Sequence, residues 1–60
     1  MKVRVLSTDK NIAGQKLLKP GSVYTVKEKH WRQHCLMSVG IQCGDKTVAL
    51  WADQLEVVES

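Results

Sequence analysis

Aromatic residues, proline and cysteine are all scarce in this chain of 60 residues. It contains two Trp, one Tyr and no Phe, a single Pro and only two Cys. Two cysteines are too few for the disulfide framework of a small secreted domain, and no apolar run approaches the roughly 20 residues that cross a bilayer. The charged N-terminal segment also lacks the long apolar centre of a signal peptide. We therefore expect a cytoplasmic protein with no membrane association.

Recognisable catalytic arrangements are missing as well. The four glycines are scattered, so they form no phosphate-binding loop, and the carboxylates show no pairing pattern. His34 and Cys35 are adjacent, but neighbouring side chains on a strand point to opposite faces, which disfavours a catalytic dyad. A chain of this length buries only about 60% of its unfolded surface and has little material for an enclosed cleft. The sequence predicts one binding domain, residues 1–60, that is not an enzyme and has no cofactor.

Four residues with metal-ligating side chains are candidates for a zinc site: His30, His34, Cys35 and Cys43. Their spacing matches no standard zinc finger, and there is no C-x-x-C pair. If both cysteines lie on one strand they are about 26 Å apart, whereas a disulfide spans at most about 7 Å. Only a turn at residues 38–40 would bring them together. The sequence predicts two reduced cysteines and no metal.

Short alternating apolar segments separated by turn residues predict five β-strands, at residues 2–7, 22–29, 35–42, 47–51 and 55–58. Pro20-Gly21 fits the centre of a type II turn, residues 43–46 fit a hairpin turn, and residues 52–54 fit one 3₁₀ turn. Residues 8–21 are predicted to form a long loop, pinned by Ile12, Leu17 and Leu18, and residues 30–34 a turn. This outline is typical of an all-β fold, a small five-stranded SH3-like barrel.

Strict alternation predicts which side chains of the third strand share a face. It assigns Cys35, Met37, Val39 and Ile41 to one face and Leu36 and Ser38 to the other. Gly40 indicates a bulge or a bend in this strand. In the fourth strand, Trp51 faces outward if Val48 and Leu50 face the core.

Three segments carry a family resemblance. The chain opens with Met1-Lys2-Val3-Arg4-Val5, continues with Leu18-Lys19-Pro20-Gly21-Ser22-Val23-Tyr24-Thr25-Val26, and closes with Trp51 and Leu55-Glu56-Val57-Val58. These motifs resemble a group of small bacteriophage and prophage proteins that form a minimal SH3-like barrel. The resemblance implies a phage origin and non-enzymatic binding, but it implies no particular partner because the motifs are core and turn residues. Leu55 stands where the family has an aromatic residue, and residues 30–34 are not part of its pattern.

Positive charge is concentrated in the first part of the chain. Residues 1–34 hold eight Lys and Arg against two acidic residues, whereas residues 35–60 hold one Lys against four acidic residues. Within the basic part, Trp31 stands among cations and histidines in residues 29–34. Aromatic and basic residues together suit a nucleic-acid backbone with an unstacked base or an acidic protein surface. Alternatively, Trp31 covers the end of the barrel, and Trp51 either plugs the barrel or lies exposed.

The predicted partner-binding residues are Lys27, Lys29, Trp31, Arg32 and Trp51. The net charge of +3 is modest for a protein that coats nucleic acid, and acidic residues dominate the second half. The favoured partner is therefore a bacterial host protein, bound and modulated by a phage or prophage accessory protein. A nucleic-acid-binding module with a basic and aromatic loop is the alternative. We expect a monomer or a weak homo-oligomer.

Overall fold

A computed structural model describes residues 1–59, and within them the chain forms five strands and two 3₁₀ turns. The strands are β1 (Lys2–Val5), β2 (Val23–Arg32), β3 (Cys35–Cys43), β4 (Lys46–Trp51) and β5 (Leu55–Glu59). The 3₁₀ turns are Gln15–Leu17, in the long loop after β1, and Ala52–Gln54, between β4 and β5. All paired strands are antiparallel. The predicted all-β fold is confirmed, and so is the 3₁₀ turn at residues 52–54.

The strands form one sheet in the order β4-β3-β2-β1-β5. The long strand β2 pairs with β1 through its first residues and with β3 through the rest. β4 and β5 are the two edges, and within residues 1–59 no ladder of hydrogen bonds joins them. The sheet is therefore not closed into a barrel by hydrogen bonds. Among the described residues, no helix has the length and apolar character needed to cross a membrane.

The core is one cluster to which both ends of the sheet contribute. Its buried hydrophobic residues are Val3, Val5, Leu18, Val39, Ile41, Val48, Leu50 and Leu55. In β4 the buried Val48 and Leu50 alternate with the exposed Thr47 and Ala49, as period-two patterning requires. Trp51 is accordingly on the outward side of this strand, with 42% of its surface exposed.

The predicted turn at residues 30–34 is wrong, because β2 continues to Arg32. Only Gln33 and His34 form the turn, and both have a positive φ, 49° and 69°. A two-residue hairpin turn of the type that matches strand twist needs positive φ at both central positions. Trp31 and Arg32 are thus paired with the first residues of β3 and lie on a strand rather than in a loop.

The predicted alternation of β3 holds for Val39 and Ile41 but fails at its beginning. His30 pairs with Ser38, and the next residue of β2 pairs with Leu36, so Met37 is the extra residue of a β-bulge. Leu36 packs against the core instead of facing away from it, and Met37 is 42% exposed. The prediction that Cys35 and Met37 share a face with Val39 and Ile41 is therefore wrong.

A second register shift lies beside Gly40, where a bulge or bend was expected. Val26 pairs with Ile41 and Glu28 with Gly40, so the extra residue is Lys27 and belongs to β2. A Cβ on Gly40 would lie 2.9 Å from Thr47 Cγ2. A larger residue at this point of the sheet therefore requires the Thr47 side chain to shift.

The long loop is anchored differently from the prediction. Leu18 is buried as expected, but Leu17 is 48% exposed and Ile12 only half-buried. Gln15 takes the deepest position, with no exposed surface. The turn at Pro20-Gly21 is confirmed by a φ of 89° at Gly21 and a backbone hydrogen bond of 3.1 Å across it.

Candidate partner-binding surface

Two of the predicted site residues lie on the core side of the sheet. Residues directly opposite each other in an antiparallel pair have their side chains on the same face. Lys29 pairs with the buried Val39, and Trp31 pairs with Leu36, which packs against the core. Both Lys29 and Trp31 are nevertheless exposed, Trp31 by 56%. Neither side chain belongs to the core cluster.

The opposite, outward side carries a row of three side chains across β4, β3 and β2. Ser38 pairs with Trp51 on one side and with His30 on the other. Ser38 is only 5% exposed, whereas Trp51 retains 42% of its surface. A small residue therefore stands between two exposed rings.

Two more residues extend this row into a patch. Arg32 is two residues beyond His30 on β2 and therefore points to the same face. Met37 is the bulge residue next to Ser38 and is exposed. We define the outer patch as His30, Arg32, Met37, Ser38 and Trp51. It contains Arg32 and Trp51 from the predicted site, but Lys29 and Trp31 lie on the other face.

His30, Met37 and Ser38 were not among the residues that the sequence predicts for this surface. Strict alternation placed Met37 and Ser38 on opposite faces, and no feature of the sequence marks the bulge. The three positions meet only because of the cross-strand register of β2, β3 and β4.

Charge on the outer face is mixed. Lys27, which follows the core residue Val26, donates a hydrogen bond of 3.0 Å from Nζ to Gln42 Oε1. Glu28 Oε2 lies 3.7 Å from His30 Nε2. Among residues 1–59, Arg32 makes no ion pair. Its guanidinium is thus the cation of the patch that is available to an acidic group.

A buried pair of glutamines holds the backbone of Trp51. Trp51 N donates to Gln54 Oε1 at 3.1 Å, and Gln54 exchanges hydrogen bonds of 3.0 and 2.9 Å with Gln15. Gln15 Nε2 also donates to Ala49 O at 2.9 Å, and Gln15 Oε1 accepts from Asp9 N at 2.9 Å. Gln15 has no exposed surface and Gln54 has 9%. The long loop, the end of β4 and the second 3₁₀ turn are therefore held by one polar network.

The candidate zinc ligands are not gathered into a site. Cys35 and Cys43 are the two ends of β3, and both are free thiols. Over residues 1–59, no group of three His, Cys, Asp or Glu side chains is arranged to hold a metal ion, and no pocket is found.

Comparison with known proteins found no matching family model, no matching curated protein and no matching solved structure. The resemblance to small phage proteins therefore stays a prediction from the motifs.

Proposed function

We propose that this protein is a small non-enzymatic binding module that uses the outer patch to bind another protein. The observation that carries the proposal is the half-exposed Trp51, held at its backbone by Gln54 on the face that also carries Arg32 and Met37. Trp and Arg are the residue types that most often dominate binding energy at protein interfaces, and Met is also enriched there. A ring on an ordered strand loses little conformational freedom on binding, which favours affinity.

We infer in addition that the sheet is that of an SH3-like barrel. Three features support this assignment: β2 is shared between two halves of the sheet, a long loop joins β1 to β2, and a 3₁₀ turn joins β4 to β5. Core residues from both halves form one cluster, as in a strongly coiled sheet. With the phage-like motifs at the start, middle and end of the chain, this fold supports a phage or prophage accessory protein.

The partner we propose is a bacterial host protein that presents an acidic group next to an apolar one. Arg32 suits a carboxylate, because its planar guanidinium donates in a fork, and Trp51 and Met37 suit apolar contact. A nucleic acid is disfavoured as the ligand of this patch, because Glu28 stands beside His30 and interrupts the positive charge. Phosphate-backbone binding favours a continuous basic stripe.

Nucleic acid is the second candidate ligand, because basic and aromatic side chains are exposed together at the end of the β2–β3 hairpin. There Lys29, Trp31 and Arg32 are exposed within four residues of one strand. An exposed Trp with flanking cations is able to stack on an unpaired base while the cations contact phosphates.

A pulldown from bacterial lysate tests the choice between the two. The bait proteins are wild type, Trp51→Ala and, as a control, Leu17→Ala, which truncates an apolar residue of similar exposure in the long loop. After nuclease treatment, wild type and Leu17→Ala should retain one stoichiometric partner that Trp51→Ala loses. Equal recovery by all three proteins would show that the outer patch is not the binding surface.

Binding to mixed-sequence DNA and RNA, measured over a range of salt concentrations, tests the second candidate. Affinity that falls steeply with salt and depends on Trp31 would favour nucleic acid. The protein-binding proposal predicts weak binding to both polymers and no effect of Trp31→Ala on the protein partner.

A further inference from the structure

The free edge of β4 has little of the usual protection against pairing with another strand. Natural edge strands carry charged residues, proline or strong twists that prevent such pairing. The one charged residue of β4, Lys46, is its first residue, and from Thr47 to Trp51 the strand has no charged residue and no proline. The other edge strand, β5, carries Glu56 and Glu59 within five residues.

Side chains occupy part of this edge instead. Ala49 O accepts from Gln15 Nε2 at 2.9 Å, and Trp51 N donates to Gln54 Oε1 at 3.1 Å. Leu50, which lies between these two residues, and Val48, which precedes Ala49, face the core. The two amides are joined to each other by a reciprocal pair of hydrogen bonds.

The donor Gln15 Nε2 and the acceptor Gln54 Oε1 are spaced as a backbone N–H and C=O would be in a neighbouring strand. In a parallel pair, one residue donates its N–H to a carbonyl across the ladder and accepts from the N–H two residues further on. Gln15 and Gln54 together supply that donor to Ala49 and that acceptor to Trp51. Because both side chains are buried, they fill the place that a further strand would take.

We propose that the Gln15–Gln54 pair is a substitute strand that prevents β4 from pairing with β4 of a second copy of this chain. The partner that the free edge of β4 favours is the same edge of a second copy of this chain. Residues 47–51 are uncharged and rich in apolar residues, so two such edges meet without like charges opposite each other.

We call the Gln15–Gln54 pair the edge cap. Hydrogen exchange on the wild-type protein tests for this cap without any substitution. Thr47 is two residues before Ala49 and its N–H faces the same edge, but within residues 1–59 no side chain accepts from it. After correction for intrinsic rates, the Trp51 amide should exchange about tenfold more slowly than the Thr47 amide. Equal exchange rates would overturn the proposal, because the cap would not exist in solution.

Replacing Gln15 removes part of the edge cap and tests whether the cap prevents self-association. Gln15→Met keeps the length of the side chain but removes the donor to Ala49 O. The variant should form dimers or larger species as its concentration rises, measured by sedimentation velocity, while the wild type stays monomeric. Adding Ala49→Pro should restore the monomer. Proline removes the Ala49 N–H, which faces the free edge together with its capped carbonyl, and proline is tolerated on edge strands.

Val3→Ala is the control, because it truncates a buried residue of β1 away from the β4 edge. It should destabilise the protein without association. Association of Val3→Ala to the same extent as Gln15→Met would overturn the proposal, because loss of stability alone would then explain it. A folded Gln15→Met that stays monomeric, or association that Ala49→Pro does not reverse, would also overturn it.

Discussion

Replacing Gln15 by Met tests the polar network at its most buried member. Four hydrogen bonds depend on the Gln15 side chain: one from Asp9 N, one to Ala49 O and two with Gln54. Methionine has a similar length but neither donates nor accepts comparably, so the substitution removes these bonds without opening a large cavity. Asp9 is exposed and its N–H is able to bind water. The amide of Gln54 is buried and loses a partner at each end.

The size of the effect follows from that unsatisfied amide. A buried polar group left without its partner costs about 1–3 kcal/mol, and we expect a loss of about 2 kcal/mol. A core of this size supplies roughly 3–5 kcal/mol in total, so the loss removes about half of the stability. For a small domain each kcal/mol shifts the Tm by about 4–8 °C. The melting temperature should therefore fall by roughly 8–16 °C.

Thermal and urea unfolding, followed by far-ultraviolet circular dichroism, measure this change. The matched control is Gln42→Met, which makes the same chemical change on β3 where the side chain is exposed. Its cost should stay within about 0.5 kcal/mol. If Gln15→Met costs no more than Gln42→Met, the buried network does not contribute to stability and the reasoning is refuted.

A double-mutant cycle isolates the contact between the two glutamines. Replacing both partners of a buried hydrogen bond by apolar groups costs less than the two single changes together. The Gln15→Met, Gln54→Met double variant should therefore be more stable than additivity predicts, by about 1–2 kcal/mol. Strict additivity would mean that the two side chains do not interact in solution.

Three further predictions concern the sheet and its hairpins. Gly40→Ala should cost about 1–3 kcal/mol, because its Cβ would lie 2.9 Å from Thr47 Cγ2; an unchanged denaturation midpoint would contradict this packing. Replacing Gln33-His34 with Asn-Gly should raise stability by about 0.5–1 kcal/mol, since both positions have positive φ, and a lower Tm would count against that turn. Trp31→Ala should cost no more than about 1–2 kcal/mol and leave the protein folded because Trp31 is 56% exposed, whereas unfolding of the variant would place the ring in the core.

Trp51→Ala should separate binding from folding. We expect at least a roughly tenfold loss of affinity for the protein partner, about 1.4 kcal/mol, measured by titration calorimetry once the partner is isolated. Arg32→Ala should weaken the same complex and reduce its dependence on salt. Unchanged affinity of both variants would exclude the outer patch as the binding surface.

The strands, and most of the turns between them, were predictable because their signals are local. Alternation of Val48 and Leu50 with exposed residues is visible within five residues of sequence, and Pro20-Gly21 specifies its turn by backbone preferences alone. The 3₁₀ turn at Ala52–Gln54 fits a short break between two apolar strands. Each of these features depends on a few neighbouring residues.

The outer patch was only partly predictable. The sequence left two alternatives for Trp51, and the one in which it faces outward depended on Val48 and Leu50 facing the core, which they do. Trp31 was grouped with it by nearness to other basic and aromatic residues, although the two rings lie on opposite faces. Residues that are close in sequence cannot be assigned to one face of the sheet from the sequence alone when β-bulges shift the pairing of β2 with β3.

The sequence by itself determined that the chain forms five strands and which residues of β4 are buried, because successive side chains of a strand alternate between its two faces and one face of β4 covers the core. Tertiary structure decided the rest. The bulge at Met37 exists only against β2, and it decides which side chains surround Trp51. Gln15 is buried because it meets Gln54 across 39 positions of chain, and no local pattern distinguishes a glutamine with such a partner from a solvated one. Side-chain placement that depends on a distant partner is settled only when the strands and the loop have packed together.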